Sequence, residues 1–145
     1  MKFWSVFLLF YFISGCSNEP EITLPIMAQV GMNDADNIIN SIGDIPVQIK
    51  DSTDTTGGAK KIYIFDKAHS QLELSQKYAL ITWKHNNEFS LNRAVKMGIA
   101  LLGNDAGYFI HRVDLNGEHT EYSIQGHKIT NNICISNLCS IKIEK

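Results

Sequence analysis

The chain has 145 residues, of which 44% are hydrophobic and 19% charged. That length suits one domain, and that composition supports a buried core rather than a disordered chain. A formal net charge of −2 excludes a strongly basic nucleic-acid binder.

Met1-Lys2 opens the chain, and an apolar run from Phe3 to Ile13 follows, broken only by Ser5. A membrane-spanning helix needs about 20 apolar residues. The run is shorter, and its charged-then-apolar order has the proportions of a secretory signal peptide. It ends Ile13-Ser14-Gly15-Cys16. That tetrad resembles the lipobox of bacterial lipoproteins, with Ile13 in place of the commoner Leu. Small residues at 14 and 15 let a peptidase bind the extended backbone closely, and the Cys16 thiol takes the diacylglyceryl group. The resemblance implies a signal peptide over residues 1–15, cleavage before Cys16, and palmitate-type acylation of the new amino group. Each buried methylene adds about 0.8 kcal/mol of membrane affinity, so three chains on Cys16 make a durable anchor. Ser17 and Asn18 follow, without the Asp that in enterobacterial lipoproteins marks retention at the inner membrane. The expected address is the outer membrane, facing the periplasm, with membrane lipid as a partner through Cys16.

Removing Lys2 from the 13 basic side chains leaves 12 against 15 acidic ones in the mature chain. This balance favours solubility and names no polyanionic partner. Residues 16–31, with Pro20 and Pro25, read as the lipidated N-terminus and tether, and 32–145 as one small periplasmic domain. Asp34 to Ile42 reads as a short helix capped by Asn33 or Asp34 and stopped by Gly43 and Pro46. Val47 to Lys50 alternates as a strand. Asp51 to Lys60 is polar enough for a mobile loop. Lys61 to Phe65 has high β-propensity, Leu72 and Leu74 suggest another strand, and Tyr78 to Trp83 is the most apolar strand and the expected centre of the sheet. Ser90 is the expected cap of the main helix, about 91–102, whose Leu91, Ala94, Val95, Gly98 and Leu102 recur at helical spacing. Gly103 to Gly107 reads as a turn from this helix into a strand.

Asn116-Gly117 is a strong hairpin signal. A two-residue loop there would pair Phe109 with Ile124, His111 with Tyr122 and Val113 with Thr120, leaving Arg112, Asp114, His119 and Glu121 on the polar face. A second two-residue loop at Ser136-Asn137 would put Ile135 opposite Leu138. Cys134 and Cys139 then meet at a non-hydrogen-bonded pair, where Cα atoms lie ~4.5 Å apart. A cross-strand disulfide fits that closeness and an oxidising exported location. With Cys16 acylated, the odd count of three cysteines is resolved. The expected fold is α+β, an antiparallel sheet of five to seven strands carrying one main helix, with a mainly β fold and short helices as the alternative.

The chemistry-bearing residues form no catalytic pattern. His69, His85, His111, His119 and His127 match no zinc spacing. Cys134 and Cys139 with two histidines would be a metal set, but export favours the disulfide. Asp114, His119 and Glu121 lack an accompanying nucleophile, and Gly57 to Lys61 lacks the spacing of a phosphate loop. No cofactor and no enzymatic activity are expected. Ser90 to Ile110 is similar to a segment in small periplasmic domains of secretin-linked machinery, such as PilL-type lipoproteins of conjugative pilus systems, through Ala94, Leu101, Leu102, Gly107 and Tyr108. That resemblance implies an accessory or assembly role in an envelope complex for pilus, secretion or conjugation, with a protein partner there. The alternative is an inhibitor or immunity lipoprotein that neutralises a toxin or lysozyme, with Asp51 to Thr56 as its presented loop.

Overall fold

The computed structural model describes residues 21–66, 70–117 and 120–145. Ten elements follow in chain order: α1 (Ala35–Ile42), β1 (Gln48–Thr53), β2 (Ala59–Ile64), β3 (Gln71–Ser75), β4 (Tyr78–Lys84), α2 (Glu88–Leu102), α3 (Asn104–Asn116), β5 (Tyr122–Ile124), β6 (His127–Ile135) and β7 (Leu138–Glu144). The seven strands make one antiparallel sheet in the order β1-β2-β3-β4-β7-β6-β5. The fold is α+β. The apolar strand around Ile81 is the middle of the sheet, as its composition predicts.

Alternation along the strands separates two faces. Tyr63, Leu72, Ile81 and Ile141 are buried in one row across β2, β3, β4 and β7, under the helices. The opposite face carries Ile62, Glu73, Leu80, Lys142 and Thr130, in register with one another. Among the described residues, the helices lie on one side of the sheet only.

Helix boundaries follow local hydrogen bonding. Asp34 caps α1 by accepting the Asn37 N–H at 3.0 Å, and Gly43 ends it with φ of 76°. The cap of α2 is Asn87, whose side chain accepts the Ser90 N–H at 2.9 Å, so the helix begins at Glu88 rather than after Ser90. Ser90 is instead buried, its hydroxyl accepting the Lys84 N–H and sharing a hydrogen bond with Ser70.

The largest correction concerns residues 104–117. The expected turn at 103–107 and strand after it are a third helix, α3, and no hairpin forms at Asn116-Gly117. Gly117 has φ of 85° and closes α3, its N–H donating to the Val113 carbonyl. Helix ends and tight hairpins both favour glycine at positive φ, so the dipeptide signal is ambiguous. Burial of Ala106, Phe109, Ile110 and Val113 supplies the deciding helical period. Gly107 and Tyr108 therefore sit inside a helix. The one main helix becomes a pair, α2 and α3, packed closely at Gly98 and Gly107.

The polar segment from Asp51 to Lys60 is also more ordered than its composition suggests. β1 runs to Thr53 and β2 starts at Ala59. Between them the Asp54 carboxylate accepts the Thr56 hydroxyl at 2.8 Å and the backbone N–H groups of Thr56 and Gly58 at 2.9 and 2.8 Å. These bonds, led by the Thr56 hydroxyl, hold its pKa below the ordinary 3.8. A depressed folded pKa gives stability that is present above the unfolded pKa and lost as pH falls through the folded one. Asp54→Asn should therefore lower Tm at pH 7, and the gap from the native chain should narrow below about pH 4. Parallel thermal melts at pH 7 and pH 3 test this, and an equal gap at both values would refute it.

Residues 21–31, the described part of the expected tether, rest on the helical layer. Leu24, Met27 and Val30 pack against the core, and the N–H groups of Val30 and Gly31 donate to the Ala100 carbonyl at 2.8 and 3.0 Å. Among the described residues, no helix is long and apolar enough to cross a membrane.

Candidate functional site

The β6–β7 hairpin forms as its turn residues predict. Ser136 and Asn137 both have positive φ, Ile135 pairs with Leu138, and Cys134 pairs with Cys139. Two consecutive positive-φ residues match the twist of a tight hairpin. Cys134 and Cys139 are joined by a disulfide across this pair, with Cα atoms 3.9 Å apart. Cys139 also lies opposite Trp83 on β4. Trp83, Cys139 and Cys134 thus form one row across three adjacent strands.

Asp114, on the last turns of α3, stands over this row. Its residue is only 6% exposed. Its Oδ1 accepts the Trp83 indole N–H at 2.9 Å and faces the His85 Nδ1 at 3.2 Å. His85 follows β4, and its backbone N–H donates to the Asn137 carbonyl at 2.8 Å, beside the disulfide hairpin. The backbone of Cys134 donates to the Gly117 carbonyl at 3.0 Å, which ties the end of α3 to the same corner. A buried carboxylate, an indole, a partly exposed imidazole and two sulfurs therefore converge there. They come from α3, from β4 and its flank, and from the β6–β7 hairpin.

Other sequence candidates are dispersed. Arg112 stacks over the Phe109 and Tyr122 rings, 5.7 and 5.6 Å from their centroids. Glu121 is an exposed partner of Lys128 at 2.8 Å. Asp114 points under α3. The expected polar face of Arg112, Asp114 and Glu121 thus does not exist, because its hairpin does not. His111 is on α3, where burial pushes its pKa below the ordinary 6.5 against the opposing pull of Asp114. His127 meets the Glu144 carbonyl at 2.8 Å. Asp51 lies in β1, and Asp54 is engaged by its own turn rather than presented outward. Cys16 with its lipobox, His69 and His119 lie outside the described residues.

The uncovered sheet face is the other notable surface. A groove across the outer face of β4, β7 and β6 is lined by Leu80, Thr82, Ile133, Ile135, Leu138 and Ser140. Ile135 is 61% exposed and Leu138 36%. Charges border it: Lys60 pairs with Glu73 at 2.8 Å, and Lys142 covers the Tyr78 ring at 4.9 Å.

No family model, curated protein or solved structure matches this chain. What bears on its function is the chemistry of its own residues.

Proposed function

We propose that this chain is a membrane-anchored lipoprotein of the bacterial periplasm that works by binding a protein partner in an envelope assembly. The uncovered sheet face carries this reading. An antiparallel sheet commonly turns one face to water, and that face is then polar. Here it holds Leu80, Ile133, Ile135 and Leu138 around a groove, an apolar centre with a polar rim of the kind that partner surfaces present. The Cys134–Cys139 disulfide pins one wall of that groove and suits an oxidising compartment. The lipobox at Ile13-Ser14-Gly15-Cys16 supplies the anchor, and outer-membrane delivery follows from Ser17 and Asn18. A binding role also agrees with the dispersal of Arg112, Asp114 and Glu121, which share no face for acid–base work.

Two substitutions test the two halves of this reading. Cys16→Ser should move the protein from the membrane fraction to the soluble or unprocessed pool and abolish incorporation of labelled fatty acid. Membrane retention with label intact would end the anchor reading. Leu80→Asp should lose the envelope components that the native chain retains after crosslinking in intact cells, while its thermal melt stays cooperative. A native chain that captures no envelope component, or a Leu80→Asp chain that captures the same set, would end the partner reading.

A further inference from the structure

The corner formed by His85, Asp114 and the two cysteines has donors suited to a metal ion. A ring nitrogen of His85 and the Sγ atoms of Cys134 and Cys139 all lie within 4.8 Å of one another. Zinc takes imidazole nitrogen at ~2.0 Å and thiolate sulfur at ~2.3 Å in tetrahedral geometry, which puts neighbouring donors ~3.3 to 3.8 Å apart. Asp114 Oδ1 is 3.2 Å from the imidazole nitrogen and 3.8 Å from the Cys139 sulfur. Those separations match an oxygen donor beside the fourth position.

The sulfurs have the right neighbours for a reduced state. In the disulfide neither sulfur carries a proton, so the oxygens facing them are contacts only. These oxygens are the Val113 carbonyl, 3.6 Å from Cys134, and Asp114 Oδ1, 3.8 Å from Cys139. In the dithiol, each thiol would have an acceptor in place. The His85 side chain is 26% exposed and gives an ion a way in, whereas Cys139 is fully buried.

We propose that reduction of the Cys134–Cys139 disulfide converts this corner into a site for one zinc-class divalent ion, held by a ring nitrogen of His85, Cys134 Sγ and Cys139 Sγ, with Asp114 beside the fourth position. A dithiol reductant supplies the electrons. The S–S bond breaks, the two protein sulfurs take up two electrons and two protons, and the reductant becomes its own disulfide. Binding of the ion then displaces both thiol protons. Oxidation runs the sequence backward and expels the ion, so the disulfide acts as a lock on the site. The fold tolerates opening. The bond closes a short loop of sequence separation 5, so its entropic contribution is small, and Cys139 remains held between β4 and β6.

The test uses the full chain in detergent, carrying Cys16→Ser throughout so that residues 134 and 139 are the only thiols. Zinc is titrated against a chromophoric chelator, and Co²⁺ reports the ligand set spectroscopically. The reduced chain should bind one ion, with a thiolate-to-cobalt charge-transfer band and tetrahedral d–d bands, and reoxidation should release it. His85→Ala should weaken binding by at least about 100-fold while circular dichroism shows an unchanged fold. Three results would each overturn the proposal: equal affinity in the disulfide form, no stoichiometric binding after reduction, or an affinity indifferent to His85→Ala. The last would mean chelation by the dithiol hairpin alone. Metal binding does not require the anchor or a partner, so these outcomes are separable from those of the proposed function.

Discussion

Trp83→Ala should destabilise the chain by about 4 kcal/mol, as full truncation of a buried aromatic does. Trp83 is fully buried at the centre of the sheet, and its indole N–H is a hydrogen-bond donor to Asp114. Two effects must be told apart. One is lost packing. The other is desolvation of a carboxylate that has lost its indole donor and keeps only its contact with His85 Nδ1, and an unmet buried polar group costs about 1–3 kcal/mol, more where it is charged. Trp83→Phe isolates the second, because much of the apolar volume stays while the donor goes. It should cost about 2 kcal/mol. Asp114→Ala removes the acceptor, so in the double variant W83F/D114A no buried carboxylate is left lacking its indole donor. That double variant should be more stable than the two single costs imply, by about 1 kcal/mol. Denaturant melts followed by circular dichroism measure all four chains. Fluorescence will not serve, since Trp83 is the only tryptophan after residue 15. Strict additivity of the two single variants would show that the indole–carboxylate bond contributes nothing of its own.

This corner shows how far local sequence determines the site. The disulfide hairpin is legible because both of its determinants are local. Ser136-Asn137 permits a two-residue turn, and a period of two then forces Cys134 against Cys139. The central place of β4 is legible from its apolar composition. Asp114 and His85 as neighbours are not. Their meeting depends on α3 lying across the sheet, whereas local signals in residues 104–117 point to turn, strand and hairpin. The helical period is present in the sequence: Ala106, Phe109, Ile110 and Val113 recur at helical spacing, and all four are buried. The Asn-Gly signal outweighs it on local grounds because glycine at positive φ serves a helix end as well as a hairpin. The Asp54 turn is hidden for a different reason. Its order comes from side-chain-to-backbone bonds, which a polar composition does not distinguish from disorder. Tertiary placement also explains Arg93. It joins Asp44 of the segment after α1 to Asp66 of the segment after β2, while its guanidinium covers the Phe65 ring at 5.7 Å. Nothing in local sequence brings those four residues together.

Gly98→Val should cost about 3 kcal/mol, because the two helices on the sheet approach one another at glycines. A Cβ added at Gly98 would lie 2.5 Å from Ile110 Cδ1 and 3.4 Å from the Ala106 carbonyl carbon, and one added at Gly107 would lie 3.0 Å from Ile99 Cγ1. α2 and α3 therefore share a seam with room for hydrogen on both sides. Gly98→Ala is the more instructive substitution, because two effects oppose each other. Alanine favours a helix interior over glycine by about 1 kcal/mol. Its methyl also collides with an isoleucine that is itself fully buried, so Cδ1 has little space into which to move. The two should nearly cancel, leaving Gly98→Ala within about 1 kcal/mol of the native chain. Ile110→Val removes the colliding atom and leaves a gap, at a cost of about 1 kcal/mol. On that background the sign should turn, and Gly98→Ala should stabilise by about 1 kcal/mol, since propensity is then unopposed. The same substitution with opposite or unequal effects in the two backgrounds would identify the seam, rather than the helix itself, as the reason for glycine. An identical effect of Gly98→Ala in both would place the constraint elsewhere, on the Ala106 backbone.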